Sequence, residues 1–154
     1  SEQLSEIAIS AARVVRLFGF DPKVAFVSHS TFGQPVTSRT KHIRKAVDIL
    51  KEKNVNFEFD GDMQPDVALN KDFKDLYPFS RIVGNANILI MPGQHSAAIS
   101  YKMMKELGDT KVIGPLLIGL GLPIEIAPLR TSTSELINLA SIAAYSADVI
   151  DYKK

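Results

Sequence analysis

The chain has 154 residues, of which 45% are hydrophobic and 23% are charged, and this is the composition of a globular domain. A formal net charge of +1 lacks the basic excess of nucleic-acid-binding proteins, so we expect no nucleic-acid partner. Cysteine is absent, which excludes disulfides, a thiolate nucleophile and the common structural zinc sites. No apolar run approaches the roughly 20 residues that span a bilayer, so we expect no membrane partner and a cytoplasmic location.

The predicted elements alternate between helices and strands. An apolar stripe with helical spacing begins at Leu4 and ends at Phe18, where Gly19 is well placed to stop the helix. Short β-rich runs follow polar turns, and further amphipathic stretches separate them. We predict helices over residues 4–18, 43–50, 62–69, 98–107 and 134–152, and strands over residues 23–28, 55–59, 88–91, 111–113 and 124–127.

This alternation predicts the fold class. Strands that are separated by helices favour an α/β fold with a mainly parallel sheet and helices on both faces, formed by one domain over residues 1–154. Ligands of such sheets bind beyond the carboxyl ends of the strands. The loops of interest are therefore residues 28–33, 91–96 and 127–134.

Two of these loops carry groups that suit an anion. Ser28, Ser30, Thr31 and Gly33 offer hydroxyl and backbone N–H donors at the end of a strand, although such residues also satisfy the backbone of ordinary turns. The segment from Arg130 to Ser134 adds a cation and several hydroxyls before the last helix, where helix capping explains the hydroxyls equally well.

Metal and catalytic patterns are weak. Asp60, Asp62 and Asp66 lack the glycine position of a calcium loop, and we expect Asp62 to lie near a helix N-terminus. The three histidines lie on separate predicted elements without metal-ligand spacing. His95 is the most interesting of them, because it opens a helix, but a structural or surface role is favoured. We therefore predict neither a metal site nor a catalytic residue.

Several segments together resemble the phosphotransacetylase-like family. The stretch FDGDMQPDVALN is similar to the family's DGEMQxDxALN motif, and the other segments follow it in the family's order. The version of the domain at the C-terminus of bacterial NADP-dependent malic enzymes is the most similar. The similar segments are residues 59–70 (FDGDMQPDVALN), 77–81 (YPFSR), 87–92 (NILIMP), 95–102 (HSAAISYK) and 112–120 (VIGPLLIGL).

The resemblance implies an isocitrate/isopropylmalate dehydrogenase-like lobe, namely the second lobe and C-terminal helix of a phosphotransacetylase module. It also implies acetyl-CoA or a related acyl-CoA as ligand, self-association into a homo-oligomer, and a parent enzyme whose upstream domain holds NADP and a divalent metal. Arg130 and Thr131 would face a phosphate of the ligand. Ser28, Ser30, Thr31 and Gly33 would line the cleft, and Gly114 and Pro115 would shape its wall.

The sequence departs from active members of the family at two functional positions. Active phosphate acetyltransferases carry a segment similar to Leu-Ser-Arg-Gly before the last helix. They also carry an aspartate in the first turn of that helix, which is proposed to deprotonate the CoA thiol. Leu129 and Leu136 stand at the serine and aspartate positions, and leucine can neither accept a proton nor hydrogen-bond an acyl oxygen. Glu135 is one residue early, which turns it about 100° away on a helix. Glu106 stands where active members tend to carry a CoA-contacting arginine.

These departures predict a regulatory domain that binds an acyl-CoA without catalysis. Two alternatives stay open. One is a working phosphate or acyl transferase with another base, such as His95, and the other is a domain that only holds an oligomer together. A carboxylate from any other position that fills the gap beside Arg130 would contradict the regulatory interpretation and make the transferase the better prediction.

Overall fold

The computed structural model describes residues 1–108 and 111–149, apart from the side chain of Lys74. The chain forms two compact units, Ser1–Ser100 and Tyr101–Lys154. The predicted residues 150–152 of the last helix lie outside the described residues. The elements are α1 (Glu2–Leu17), β1 (Lys23–Val27), α2 (Ser38–Glu52), β2 (Glu58–Met63), α3 (Pro65–Leu69), α4 (Lys71–Lys74), β3 (Ile88–Ile90), α5 (Gln94–Leu107) and α6 (Thr133–Val149).

The first helix ends at the predicted glycine. The N–H of Gly19 donates to the carbonyl of Arg16 at 2.9 Å, and the N–H of Phe20 donates to the carbonyl of Val15 at 3.2 Å. These two bonds form a Schellman motif, which needs a left-handed residue after the C-cap. Gly19 supplies it with a φ of +81°. The predicted helix and its stop are confirmed.

A three-stranded sheet in the order β2-β1-β3 forms the centre of the first unit, and both pairings are parallel. The predicted α/β class with a parallel sheet is confirmed. The predicted strands at residues 111–113 and 124–127 are wrong, because neither segment forms a strand in the structure. Their apolar runs are short and flank a segment rich in glycine and proline, and a strand forms only where a neighbour completes its hydrogen bonds.

Both faces of the sheet are covered. Side chains of β1 alternate, so that Val24 and Phe26 face one side and Ala25 faces the other. The first side packs against buried residues of α1 and α2, and the second packs against α3 and the loops that follow it. The buried helix residues on the first side are Ala8, Ala12, Ile43, Ala46, Val47 and Leu50, and the residues packed with Ala25 on the second side are Met63, Val67, Ala68, Ile82 and Ala86.

The second strand lies later in the chain than its pattern predicted. Glu58–Met63 forms β2, although this segment contains two aspartates. The Asp60 carboxylate is buried and accepts the N–H groups of Gly61 (2.9 Å) and Arg81 (2.7 Å). The expectation that Asp62 lies near a helix N-terminus is wrong, since Asp62 lies within β2 and α3 begins only at Pro65.

Across the described residues, none of the helices is both long enough and apolar enough to span a bilayer.

Candidate functional site

The predicted hydroxyl loop lies at the carboxyl end of β1, in the first unit. It is closed against the end of β2, because the N–H of Ser28 donates to the carbonyl of Met63 at 2.9 Å and the N–H of Phe32 donates to that of Asp62 at 2.6 Å. Ser28, Ser30 and Thr31 are all at most 9% exposed. The structure therefore brings the predicted residues together in one tightly held loop.

The hydroxyls of Ser28 and Thr31 form hydrogen bonds to backbone N–H groups of the loop and of the residue after β2. The Ser28 hydroxyl accepts the N–H of Ser30 at 3.3 Å, and the Thr31 hydroxyl accepts the N–H of Gln64 at 3.3 Å. Gly33 is buried with a φ of +85°. The Ser30 hydroxyl is fully buried and has no hydrogen-bond partner in the described part of the chain. Ser28 and Thr31 thus do what the turn interpretation required, and their role toward a ligand stays a prediction.

A cavity in the second unit is lined by three of the four other predicted residues. Its volume is about 100 Å³, and its wall combines two cations, a carboxylate and an amide with apolar groups. Gly114, Arg130 and Thr131 line it as predicted for a ligand cleft, whereas Pro115 is not among the described residues of the wall. The residues of the wall are Lys105, Ile113, Gly114, Pro128, Arg130, Thr131, Glu135, Asn138 and Leu139.

A capping box holds the N-terminal end of α6 beside this cavity. The Ser132 hydroxyl accepts the N–H of Glu135 at 3.3 Å, and the Glu135 carboxylate accepts the N–H of Ser132 at 2.7 Å. That carboxylate also accepts the Ser132 hydroxyl at 2.8 Å and the Lys105 ammonium at 3.3 Å. The Ser132 hydroxyl and the Glu135 carboxylate thus accept backbone N–H groups that the start of a helix leaves without partners. The Lys105 ammonium gives the carboxylate an ion-pair partner.

Glu135 lies in the candidate site whereas Leu136 does not line it, so the two neighbouring side chains face apart, as their rotation on a helix predicts. Glu135 lines the same cavity as Arg130, because its side chain folds back toward the N-terminus of α6 to reach Ser132 and Lys105. The hydrogen bond from the Ser132 N–H, then that from its hydroxyl, and then the Lys105 ammonium lower the pKa of Glu135 below its usual 4.5. The carboxylate is therefore ionised at neutral pH.

The two leucines that the resemblance places at the family's catalytic positions do not line the cavity. Leu129 is fully exposed and Leu136 is 47% exposed, and neither belongs to the described wall. Glu106 is exposed and does not line the cavity either. Lys105, its neighbour on α5, does line it and was missed, since no spacing rule pairs residues 105 and 135.

Groups that could bind a metal or act as an alternative base are sparse. Within residues 1–108 and 111–149, no cluster of three or more histidines, aspartates or glutamates could hold a metal ion. His95 is exposed in the first turn of α5. Asp60 and Asp62 are buried in β2 rather than placed at a turn.

Comparisons with known proteins identify the family. Residues 1–144 match the family described as Phosphate acetyl/butaryl transferase. An NADP-dependent malic enzyme from Rhizobium meliloti (strain 1021) is 50% identical over 147 residues, which cover 96% of this chain and 19% of that protein. A phosphate acetyltransferase from Bacillus subtilis (strain 168) is 34% identical over 148 residues, covering 96% of this chain and 46% of that one.

Solved structures show the same fold. A phosphotransacetylase from Streptococcus pyogenes superposes with a TM-score of 0.90 at 32% identity, over 96% of this chain and 45% of that chain. The chain thus spans about a fifth of the malic enzyme named above and less than half of the phosphotransacetylases. It has the α/β lobe of these enzymes, and by sequence and structure it belongs to the phosphate acetyl/butyryl transferase family.

Proposed function

We propose that this chain is a non-catalytic regulatory domain of an NADP-dependent malic enzyme, and that it binds acetyl-CoA or a related acyl-CoA. The 50% identity to the malic enzyme of Rhizobium meliloti supports the choice of parent. In such an enzyme, ligand binding here would change the affinity or turnover at a separate malate site through a coupling free energy.

The cavity beside α6 carries this proposal. Arg130 gives it a permanent positive charge in a wall that also contains Lys105, and guanidinium groups bind phosphate oxygens through paired N–H donors. The positions of the family's serine and aspartate hold Leu129 and Leu136, which have no proton to exchange. The site can therefore hold an anion but lacks the two groups that the family uses on the thiol and the acyl oxygen.

Glu135 favours a second candidate, a working transferase. A carboxylate beside Arg130 is the feature that would supply the missing base, and Glu135 has this place. Its three hydrogen bonds from Ser132 and Lys105 weaken it for that role, because they stabilise the ionised form and lower the pKa. The two bonds from Ser132 also tie the carboxylate to the cap of α6, which leaves less of it free to accept the proton of a thiol. We therefore favour binding over chemistry.

Self-association belongs to the same proposal. Four apolar residues of α6 are about half exposed or more, namely Leu136, Ile137, Tyr145 and Val149. A helix with so much apolar surface favours a further packing partner, and we assign that place to a second copy of the chain. A purely oligomerising domain would use this surface and leave the cavity empty.

The remaining chemistry of the parent lies elsewhere in this proposal. NADP and a divalent metal would serve malate oxidation in an upstream domain, and acyl-CoA is the small molecule assigned to this one. The proposed parent acts in the cytoplasm.

Calorimetric titration of the full-length protein with acetyl-CoA tests the proposal. We expect wild type to bind and Arg130→Ala to lose about tenfold or more in affinity, because a charge-assisted contact to phosphate is lost. Arg13→Ala is the matched control, since Arg13 is an exposed arginine on α1 that should leave binding unchanged. An equal response of both variants, or no binding by wild type, would contradict the proposal.

Two further assays separate the alternatives. Formation of acetyl phosphate from acetyl-CoA and phosphate, abolished by Glu135→Gln, would establish the transferase. If deletion of the domain dissociates the enzyme but leaves its response to acetyl-CoA intact at matched oligomeric state, the domain only assembles the oligomer.

A further inference from the structure

The size of the cavity limits what enters it. A dry cavity of about 150 Å³ holds a benzene molecule and one water takes up about 30 Å³ of liquid. The cavity here is about 100 Å³. A tetrahedral oxyanion fits such a space, but a whole nucleotide thioester does not. Such a space has room for one small anionic group, free or at one end of a larger ligand.

Lys105 lies in the last turn of α5 and brings a second cation to the wall that contains Arg130. Its ammonium donates to Glu135 at 3.3 Å, and the side chains of the pair are 45% and 32% exposed. Ion pairs with this much solvent contact contribute little to stability. The ammonium is thus available to exchange its carboxylate partner for an incoming oxyanion.

Glu135 stays in the cavity wall when the Lys105 ammonium leaves it to bind an oxyanion. Its carboxylate keeps the hydrogen bonds from the Ser132 N–H (2.7 Å) and hydroxyl (2.8 Å), which belong to the cap of α6. The fixed negative charge of Glu135 therefore competes with the anionic ligand for Lys105 and also repels that ligand. Without Glu135, the charged groups of the wall, Lys105 and Arg130, would sum to two positive charges instead of one.

We infer that Lys105 is a second binding residue for a phosphate-type oxyanion in this cavity, and that Glu135 is its built-in competitor, which limits the affinity. The inference deepens the proposed function, since it rests on an anionic group of the ligand that binds beside Arg130. It assigns Lys105 to direct contact with the anion and Glu135 to regulation of that contact.

Competitive labelling of lysines in the full-length protein tests this inference with inorganic phosphate as the probe. Acetylation by an amine-reactive ester is followed residue by residue by mass spectrometry, at constant ionic strength set with chloride. Lys102 is the internal control, because it is exposed on the same helix and does not line the cavity. We expect phosphate to slow the acetylation of Lys105 in a saturable manner and to leave Lys102 unchanged.

Two matched variants test the competitor. Glu135→Gln keeps an oxygen for the Ser132 N–H and removes the charge, so the half-protecting phosphate concentration should fall by about three- to tenfold. Glu106→Gln removes a neighbouring charge outside the wall and should leave that concentration unchanged. Equal slowing of Lys105 and Lys102, or an equal response of the two glutamate variants, would overturn the inference.

The test separates this inference from the proposed function. Phosphate protection of Lys105 in a protein that does not bind acetyl-CoA would support the inference and contradict the proposed function. Binding of acetyl-CoA through Arg130, with Lys105 unprotected by phosphate, would overturn the inference alone.

Discussion

Gly61 lies in β2 directly beside Phe26 of β1, and its replacement by alanine should destabilise the fold strongly. It pairs with Phe26, and the ladder has an irregularity at the next step. A Cβ on Gly61 would lie 2.7 Å from the Phe26 carbonyl oxygen and 2.8 Å from the Phe26 Cβ. Both distances are shorter than real Cβ contacts allow, and neither neighbour can move without shifting the central strand.

Backbone and packing costs both contribute to the expected loss. Gly61 has a φ of +149°, and a side chain in such a conformation costs about 1–3 kcal/mol. Overpacking of a well-filled core costs about 1–3 kcal/mol more. We therefore expect Gly61→Ala to lower the free energy of unfolding by about 2–6 kcal/mol, a large share of the roughly 5–15 kcal/mol that a domain has.

Urea unfolding followed by far-ultraviolet circular dichroism measures this loss. With a slope of about 2 kcal/mol per molar urea, the midpoint should fall by roughly 1–3 M. Gly93→Ala is the matched control, because a Cβ there meets no atom within 4 Å and its φ is not positive. If the two alanine variants unfold within about 0.5 M of each other, the assignment of Gly61 to a close strand contact is wrong.

Three other predictions concern side chains of the two units. Asp62 is fully buried, and neither of its carboxylate oxygens has a hydrogen-bond partner in the described part of the chain. Asp62→Asn should therefore raise the free energy of unfolding by about 1–3 kcal/mol in urea unfolding at pH 7. A loss of stability would contradict this prediction. The lowered pKa of Glu135 means that its stabilising contribution is present above pH 4.5 and is lost as the pH falls through the folded-state value. The difference in urea midpoint between wild type and Glu135→Gln should therefore be present at pH 6 and shrink by pH 3, and a difference that does not change with pH would refute this origin. Ile137→Lys should weaken self-association of the full-length protein in sedimentation, because Ile137 is 61% exposed on the apolar surface of α6, and an unchanged oligomer would exclude that surface.

Elements with a strong periodic pattern could be predicted from the sequence. The stripe of α1 and the glycine that ends it required only local rules, because a Schellman motif is formed by neighbouring residues. The buried strand β3 and the long helix α5 were also found near their true positions. The sequence predicts β2 too early in the chain, because Asp60 looks unsuited to a buried strand. Only the fold shows that the distant N–H of Arg81 donates to its carboxylate.

Two features could not be predicted from local patterns, for the same physical reason. The short apolar runs at residues 111–113 and 124–127 have strand-like composition, but strand formation depends on a neighbouring strand that no local pattern reveals. The rotation of the helix separates Glu135 from Leu136 but does not show which of them lies beside Arg130. The long side chain of Glu135 folds back to the N–H of Ser132 and to Lys105, which is 30 residues away in the chain. Such contacts between distant residues decided which groups entered the candidate site.

In the proposed function, the domain binds acetyl-CoA without converting it. The most direct measurement is equilibrium dialysis of the full-length protein against labelled acetyl-CoA and phosphate, followed by chromatography of the bound and free label. We expect bound label that Arg130→Ala reduces, with all label recovered as intact acetyl-CoA. Recovery of acetyl phosphate in amounts that depend on the protein, or the absence of bound label, would contradict the account.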